Sequence, residues 1–154
     1  MFNYGKKFEE ITRNALEEEQ ACYDRLPDQM SGRAGSSNPS DFIAYRKPYF
    51  FYIECKSCQE EVFTIKAMIS EDQWTDLLKK SKYTGVFAGY LIWFVNEDKV
   101  FWVPAKKMNS LYKKKKSFRS SDLYEYGKVI EIEIVKKYPR LINLLSTITK
   151  RKSK

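Results

Sequence analysis

The chain has 154 residues, 43% hydrophobic and 16% aromatic, enough for one globular domain that buries about two-thirds of the surface of its unfolded form. It contains no histidine, which excludes a Ser-His-Asp triad, a Cys-His pair, imidazole metal ligands and a histidine general base; any metal would be held by oxygen, favouring Mg2+ or Mn2+ over zinc. The net charge of +8 is segregated: Lys106–Arg119 and Lys136–Lys154 carry seven basic residues each and no acid, leaving 14 basic against 20 acidic residues, a net of −6, elsewhere.

An acidic body with two basic segments is the pattern of a metal centre with an attached grip for a polyanion, so nucleic acid is the expected partner. No run of 18 apolar residues occurs and Met1 opens no signal-peptide pattern, so a soluble, cytoplasmic protein without membrane contact is expected. Three cysteines, Cys22, Cys55 and Cys58, cannot all pair within one chain, which fits a reducing compartment.

In chain order, a helix is expected from Lys6 to about Gln20, with Phe8, Ile11 and Ala15 on one face. A short strand spans Ala21–Leu26 and ends at Pro27; the loop-like Ser31–Ser40 then leads to Asp41. Asp41–Tyr45 and Tyr49–Lys56 flank Arg46-Lys47-Pro48 and read as a β-hairpin. A turn centred between Lys47 and Pro48 pairs Arg46 with Tyr49 and sets Asp41 opposite Glu54. Like charges directly opposed are destabilising, so this pair calls for a cation, either Lys56 or a bound divalent metal.

Glu60–Met68 reads as irregular or a short strand, and Ser70 opens a helix to about Lys80 with Trp74, Leu77 and Leu78 inward. Val86–Val95 has the continuous apolar character of a central buried strand. A turn at Asn96-Glu97-Asp98 leads to a strand at Val100–Val103, closed by Pro104. Lys106–Ser121 is a basic stretch with a short helix and loop, and Val129–Val135 alternates as a half-exposed strand. Pro139 is placed at the first turn of a last helix with a Leu141, Ile142, Leu145 and Ile148 stripe, serving as core or as a dimer contact. The order predicts one α/β domain over residues 1–154, a mixed β-sheet flanked by helices, with a disordered basic tail from about residue 150.

Asp41, Glu54 and Lys56 form the main candidate constellation, with Glu9 as a fourth member. Carboxylates holding one or two Mg2+ can compensate the charge of phosphodiester hydrolysis, and a lysine beside them can orient or deprotonate water. Taken alone, the E-x-K triplet reads first as a structural salt bridge on a strand face; the opposed Asp41, the apolar flanks and the loop aimed at it bring the functional reading level with that. Gln73 also reads two ways, because Ser70-Glu71-Asp72-Gln73 fits a capping box. Cys55-Lys56-Ser57-Cys58 is a C-x-x-C, but its first thiol falls within a strand rather than at the helix N-terminus that redox chemistry needs.

Asp41, a spacer of 12 residues, and Glu54-Cys55-Lys56 together resemble the PD-(D/E)xK nuclease motif. Gly5-Lys6-Lys7-Phe8-Glu9 is similar to a first-helix glutamate motif, and Pro39-Ser40-Asp41-Phe42 to a Thr-Thr-Asp-Tyr. Asp72-Gln73-Trp74 matches a His-Gln pair, and Lys116-Ser117-Phe118 with Asp122-Leu123 a Lys-Ser-Ile…Glu-Leu signature. The series resembles RecU-type Holliday-junction resolvases of Gram-positive bacteria and their phages, over about Gly5–Ile134. Two departures stand out. Bacterial members carry a long inserted stalk, whereas only 17 residues separate Tyr23 from Asp41, closer to archaeal resolvases, and Asp72 replaces the family's histidine.

The resemblance implies a restriction-endonuclease-like fold and a Mg2+-dependent endonuclease, Mn2+ substituting, that acts on branched DNA as a homodimer. It implies that Asp41, Glu54 and the Cys55 carbonyl ligate the metal, that Lys56 acts on the attacking water, that Glu9, chosen over Glu10 on its glycine spacing, supports the metal site, and that Gln73 positions water or phosphate. Arg33, Arg46, Lys113, Lys114, Lys115 and Lys116 are candidate phosphate contacts on charge and position. Alternatives are another PD-(D/E)xK DNA nuclease, of repair or restriction type, and a non-catalytic DNA-binding relative.

Overall fold

The computed structural model describes residues 1–27 and 40–151. Arg33, most of the Ser31–Ser40 loop and the tail from residue 152 therefore lie outside the described residues. The first helix, α1 (Tyr4–Glu18), starts two residues before its expected position because the Asn3 side chain accepts the Lys6 N–H and caps it. Its Phe8, Ile11, Ala15 and Leu16 are buried.

Strand β1 (Cys22–Arg25) pairs antiparallel with β2 (Phe42–Arg46), which forms a hairpin with β3 (Tyr49–Cys58). The hairpin register is the expected one, with Arg46 opposite Tyr49 and Phe42 opposite Ile53. Beyond β3 lie β4 (Phe63–Thr64), a one-turn helix α2 (Ile65–Met68) and α3 (Glu71–Lys80). β5 (Val86–Phe94) then runs parallel to β3. β6 (Lys99–Pro104), α4 (Ala105–Lys114), β7 (Ser117–Phe118), α5 (Leu123–Tyr126), β8 (Lys128–Val135), β9 (Tyr138–Ile142) and α6 (Leu144–Thr149) follow.

The seven-stranded sheet has the order β1-β2-β3-β5-β6-β8-β9, while β4 and β7 pair separately. Strand alternation divides its side chains between two cores. Phe51, Ile53, Leu91, Trp93, Val100 and Trp102 pack with α1 and α6. Tyr90, Ile92, Phe94, Phe101 and Val103 pack with residues of α2 to α5. Helices thus cover both faces, which is why β5 reads as continuously apolar. Within it, Gly89 is required by space, since a Cβ there would collide with the Val103 carbonyl oxygen of the neighbouring strand.

The segment around Pro139 corrects the sequence expectation of a helix start. Lys136 and Lys137 both have positive φ, 49° and 68°, and form a tight turn between β8 and β9. Pro139 lies in β9, opposite Ile134, in the last strand of the sheet order, where a missing N–H is tolerated. Leu141 then belongs to a strand, and with Leu145 and Ile148 of α6 it joins the core around α1. The α6 N-terminus is held by Glu19, whose carboxylate accepts the Leu144 and Leu145 N–H groups at 3.0 and 2.9 Å.

Candidate metal and nuclease site

The site forms where the β2–β3 ladder ends. The last pair is Phe42 with Ile53, so Asp41 falls one step beyond it, at the position across from Glu54. Asp41 is not a strand residue there; it sits in a bend held from three directions. Its carbonyl accepts the Leu26 N–H at 2.8 Å, the buried Ser40 hydroxyl bonds across it to the Phe42 carbonyl at 2.8 Å, and its Oδ2 accepts the Cys55 N–H at 2.8 Å. In an extended strand the N–H and C=O of one residue project to the same edge. The Cys55 carbonyl therefore shares the edge on which Asp41 lies.

On β3, Glu54 is 3% exposed. Its Oε2 is 3.1 Å from the Lys56 amine and accepts from Gln73 Nε2 at 3.0 Å. Lys56 in turn donates to Gln73 Oε1 at 3.3 Å. Alternation along β3 puts Glu54 and Lys56 on the face covered by α3, and Gln73, in the first turn of α3, closes the triangle. Only the Ser70 half of the capping box forms, because the Gln73 side chain is engaged by Glu54 and Lys56. Its N–H is capped by the Ser70 hydroxyl at 3.2 Å while its side chain reaches the carboxylate.

Glu9 enters from α1. Its carboxylate pairs with Arg25 at 2.7 Å and interacts with that of Asp41. Glu10 instead faces solvent and pairs with Lys7 at 3.5 Å, so the geometry selects Glu9. Arg25 was not singled out by sequence; a single arginine in a four-residue strand carries no signal, and only the α1–β1 packing brings it to Glu9. Tyr90, within the apolar Val86–Val95 run, is set beside Glu54 by the parallel β3–β5 register.

Burial and mutual repulsion dominate the electrostatics of the two carboxyls. Burial, the neighbouring Glu54 charge and Glu9 push Asp41 up from 3.8 to about 8, against the opposing pull of the Cys55 N–H. Burial likewise raises Glu54, with Lys56, a hydrogen bond to the Asp41 carboxyl and Gln73 pulling it back. Glu54 Oε1 is buried and has no hydrogen-bond partner, a costly state for a charged oxygen. The donor set is oxygen only, as a hard cation prefers, and Mg2+ is commonly held by one or two carboxylates plus waters rather than by a closed protein cage. Among the described residues no three His, Cys, Asp or Glu side chains are grouped so that they alone could hold a metal ion, so such an ion would also need backbone oxygen and water. Asp41, Glu54 and the Cys55 carbonyl fit such an ion.

Cys55 itself points the other way. Its thiol meets the Thr12 hydroxyl at 3.4 Å beneath α1, and burial pushes its pKa well up; Cys58 is buried in the opposite core and is likewise raised by burial. Neither is an activated thiol.

The remaining candidates are dispersed. Arg46 sits at the far end of β2, bonded to Ser146 at 3.1 Å and 3.5 Å from Glu19, so it braces α1 and α6 rather than joining the carboxylates. Lys113, Lys114, Lys115 and Lys116 are exposed at the end of α4 and just beyond it. Lys115 pairs with Asp122 at 2.9 Å, and the Lys116 amine lies 3.9 Å from the Tyr112 ring centre. α4 contacts α3 through Tyr112 and Trp74, whose rings meet edge to face at 5.4 Å. The basic segment is thereby set beside the helix that carries Gln73.

Known proteins share this arrangement of strands and helices. The crystal structure of Hjc from Archaeoglobus fulgidus, described as a Holliday junction resolvase, aligns with a TM-score of 0.57 at 20% identity, over 80% of this chain and 93% of that one. The likeness identifies the fold as the restriction-endonuclease-like one. Among curated proteins none matches. The family profile described as RecU, Recombination protein U, matches residues 28–150, a span that includes Asp41, Glu54, Lys56 and Gln73 and leaves Glu9 to stand on geometry. With more than half of its length matched, and with the fold to go with it, this chain belongs to the Recombination protein U family.

Proposed function

We propose that this chain is a Mg2+-dependent endodeoxyribonuclease that resolves four-way DNA junctions, working as a homodimer in the cytoplasm, with Mn2+ able to replace Mg2+. The observation that carries the catalytic part is the buried, unpartnered Glu54 Oε1 in a cluster where Glu54 and Asp41 are both raised and Lys56 stands 3.1 Å away. Carboxyls perturbed by burial together with a specific charge partner are candidates for a functional site. Family membership supports recombination as the context.

Asp41, Glu54 and the Cys55 carbonyl would hold the ion. When bound, it supplies Lewis-acid compensation for charge on the phosphate and lowers the pKa of water. Glu54 fixes the Lys56 amine, and Gln73 bonds to both, so the ammonium is set beside the metal-binding carboxylates rather than swinging in solvent. There it would orient the attacking water or offset charge developing on the phosphate oxygens. Glu9 would support Asp41 from α1 while Arg25 keeps the Glu9 carboxylate in place. Two copies related by a two-fold axis would nick opposing strands.

The test is cleavage of a labelled four-way junction with and without Mg2+, using wild type and Asp41→Asn. Paired nicks by wild type in Mg2+ or Mn2+, abolished in the variant, are expected. Binding without cutting in either metal would refute the enzyme reading and leave a DNA-binding relative. Cutting linear duplex as fast as the junction would refute resolution and leave a nuclease of another kind.

A further inference from the structure

We infer that the pocket between α2, α3 and α4 receives one unpaired nucleobase of the DNA held at the carboxylate site. The proposal rests on the nuclease reading above and deepens it.

The pocket has a volume of about 470 Å3 and is walled by Ile65, Ile69, Trp74 and Tyr112, with Lys66 and Glu71 among its polar members. Such a volume is in the range of small-molecule sites, roughly 300–1,000 Å3. Its place follows from helical spacing. Ser70, Glu71 and Trp74 lie on one side of the first turns of α3 (i, i+1, i+4), while Gln73 projects about 100° away toward Glu54 and Lys56. One helical turn thus faces the pocket with one set of side chains and the candidate site with another.

The chemistry of the walls selects the occupant. Trp74 and Tyr112 are half-buried and hold each other edge to face at 5.4 Å, which fixes their orientation and leaves apolar ring surface toward the pocket. Aromatic faces accept any base by stacking, with little dependence on sequence. Two cations flank these rings: Lys66, exposed on α2, lines the pocket, and the Lys116 amine, outside its lining, lies over the Tyr112 ring at 3.9 Å. Glu71 is exposed on the same side of α3, and its carboxylate repels a phosphate while accepting an exocyclic amine. Apolar walls, one acceptor and peripheral ammonium groups suit a base inside with its backbone phosphates outside. A phosphate in the pocket would meet the reverse arrangement.

A base can reach such a pocket only if it leaves its stack. The cost of unstacking is smallest where pairing is already interrupted, as at a branch point. Occupancy would therefore favour interrupted duplex over continuous duplex and set the register of the backbone on the carboxylates.

The experiment couples protein and DNA changes. Junctions carrying a single abasic nucleotide at successive positions around the cut are bound, in metal-free buffer, to wild type, Tyr112→Leu and Trp74→Phe, with affinity read by anisotropy. Cleavage is then read in Mg2+. Tyr112→Leu keeps apolar volume and removes the stacking face; Trp74→Phe keeps an aromatic ring and should fall between it and wild type. At one abasic position wild type should lose about tenfold in affinity, the order expected for one stacked base. Tyr112→Leu should show the same loss on the intact junction and none further at that abasic position. Trp74 emission gives a second reading, since Trp93 and Trp102 are each 1% exposed: the intact junction should quench wild type strongly and Trp74→Phe weakly. Wild-type cleavage with losses that simply add at every position would overturn the pocket and leave the nuclease reading standing. Wild type that neither binds nor cuts the intact junction would overturn both.

Discussion

Replacing Asp41 by asparagine should make the metal-free protein more stable relative to wild type, increasingly so as pH rises. Asparagine keeps an oxygen that can accept the Cys55 N–H, held by Asp41 Oδ2 at 2.8 Å, and removes the charge that opposes Glu54 and Glu9. Asp41 is raised in the folded state from its ordinary 3.8 to about 8. Between those values the native state keeps a proton that the unfolded chain has released, so ν_U − ν_N is negative and wild-type stability falls with pH. The stabilisation is complete below the ordinary value, is lost as pH climbs through about 8, and changes no further above it.

Each pH unit in that window is worth about 1.4 kcal/mol, giving a ceiling of about 3.4 kcal/mol between pH ~5.5 and ~8. Partial exposure of Asp41 and sharing of the proton with Glu54 reduce the expected figure to about 2 kcal/mol. Asparagine titrates in neither state and has no such slope. The assay is urea unfolding of both proteins in chelator at pH ~5.5 and ~9, where a difference of this size is well resolved. Adding Mg2+ at the higher pH should recover stability in wild type and much less in the variant, because a ligand that binds only the native state stabilises it by mass action. An equal stability difference between the two proteins at both pH values would refute the reasoning.

Four further outcomes follow from the same geometry. Lys56→Met should lower junction cleavage by about 100-fold with little change in junction affinity, as read by single-turnover cleavage beside anisotropy, because the amine acts on the reacting water or phosphate. Ser70→Ala should cost about 1 kcal/mol of folding stability by removing the cap on the Gln73 N–H while cleavage at low temperature persists; Gln73→Ala should do the reverse, losing cleavage with little change in melting temperature. Neutralising Lys113, Lys114, Lys115 and Lys116 together should flatten the salt dependence of DNA binding by about two to three units of slope, fewer than four, because Lys115 is already paired with Asp122.

What the sequence made legible was set by local rules. The hairpin register follows from the position of Pro48 and the strand period of two, and both recur in the pairing of Arg46 with Tyr49 and of Phe42 with Ile53. The absence of histidine constrained the donor set before any coordinate was known. The segment after Val135 was misread for an equally local reason. A proline followed by spaced apolar residues satisfies a helix start, and no composition rule announces two consecutive lysines at positive φ. That turn is imposed by pairing with β8, a tertiary constraint. Arg46 looked like a phosphate contact because charge alone was visible; its partners, Glu19 and Ser146, are 27 and 100 residues away in sequence. Arg25 and Tyr90 were hidden likewise, since each meets its carboxylate only through packing or strand order.

The juxtaposition of Asp41 and Glu54 is poor as structure and suits the cation site proposed above. A fold selected only for stability would place apolar residues where β2 ends and α3 covers β3, since buried carboxyls that must shift their pKa or lack a partner cost free energy. Here the cost is concentrated: Asp41 is raised to about 8, and Glu54 keeps one buried oxygen unpaired. Lys56 and Gln73 compensate only Oε2 of Glu54. The other group facing Glu54 is Asp41, itself an acid, which offers a donor only while it keeps its proton. The surrounding elements are built to bear the strain. β3 lies within the sheet between β2 and β5, and its Phe51 and Ile53 are fully buried under α1. Glu54 is therefore carried on backbone paired on both sides, and a divalent ion held there would relieve repulsion that the fold already bears.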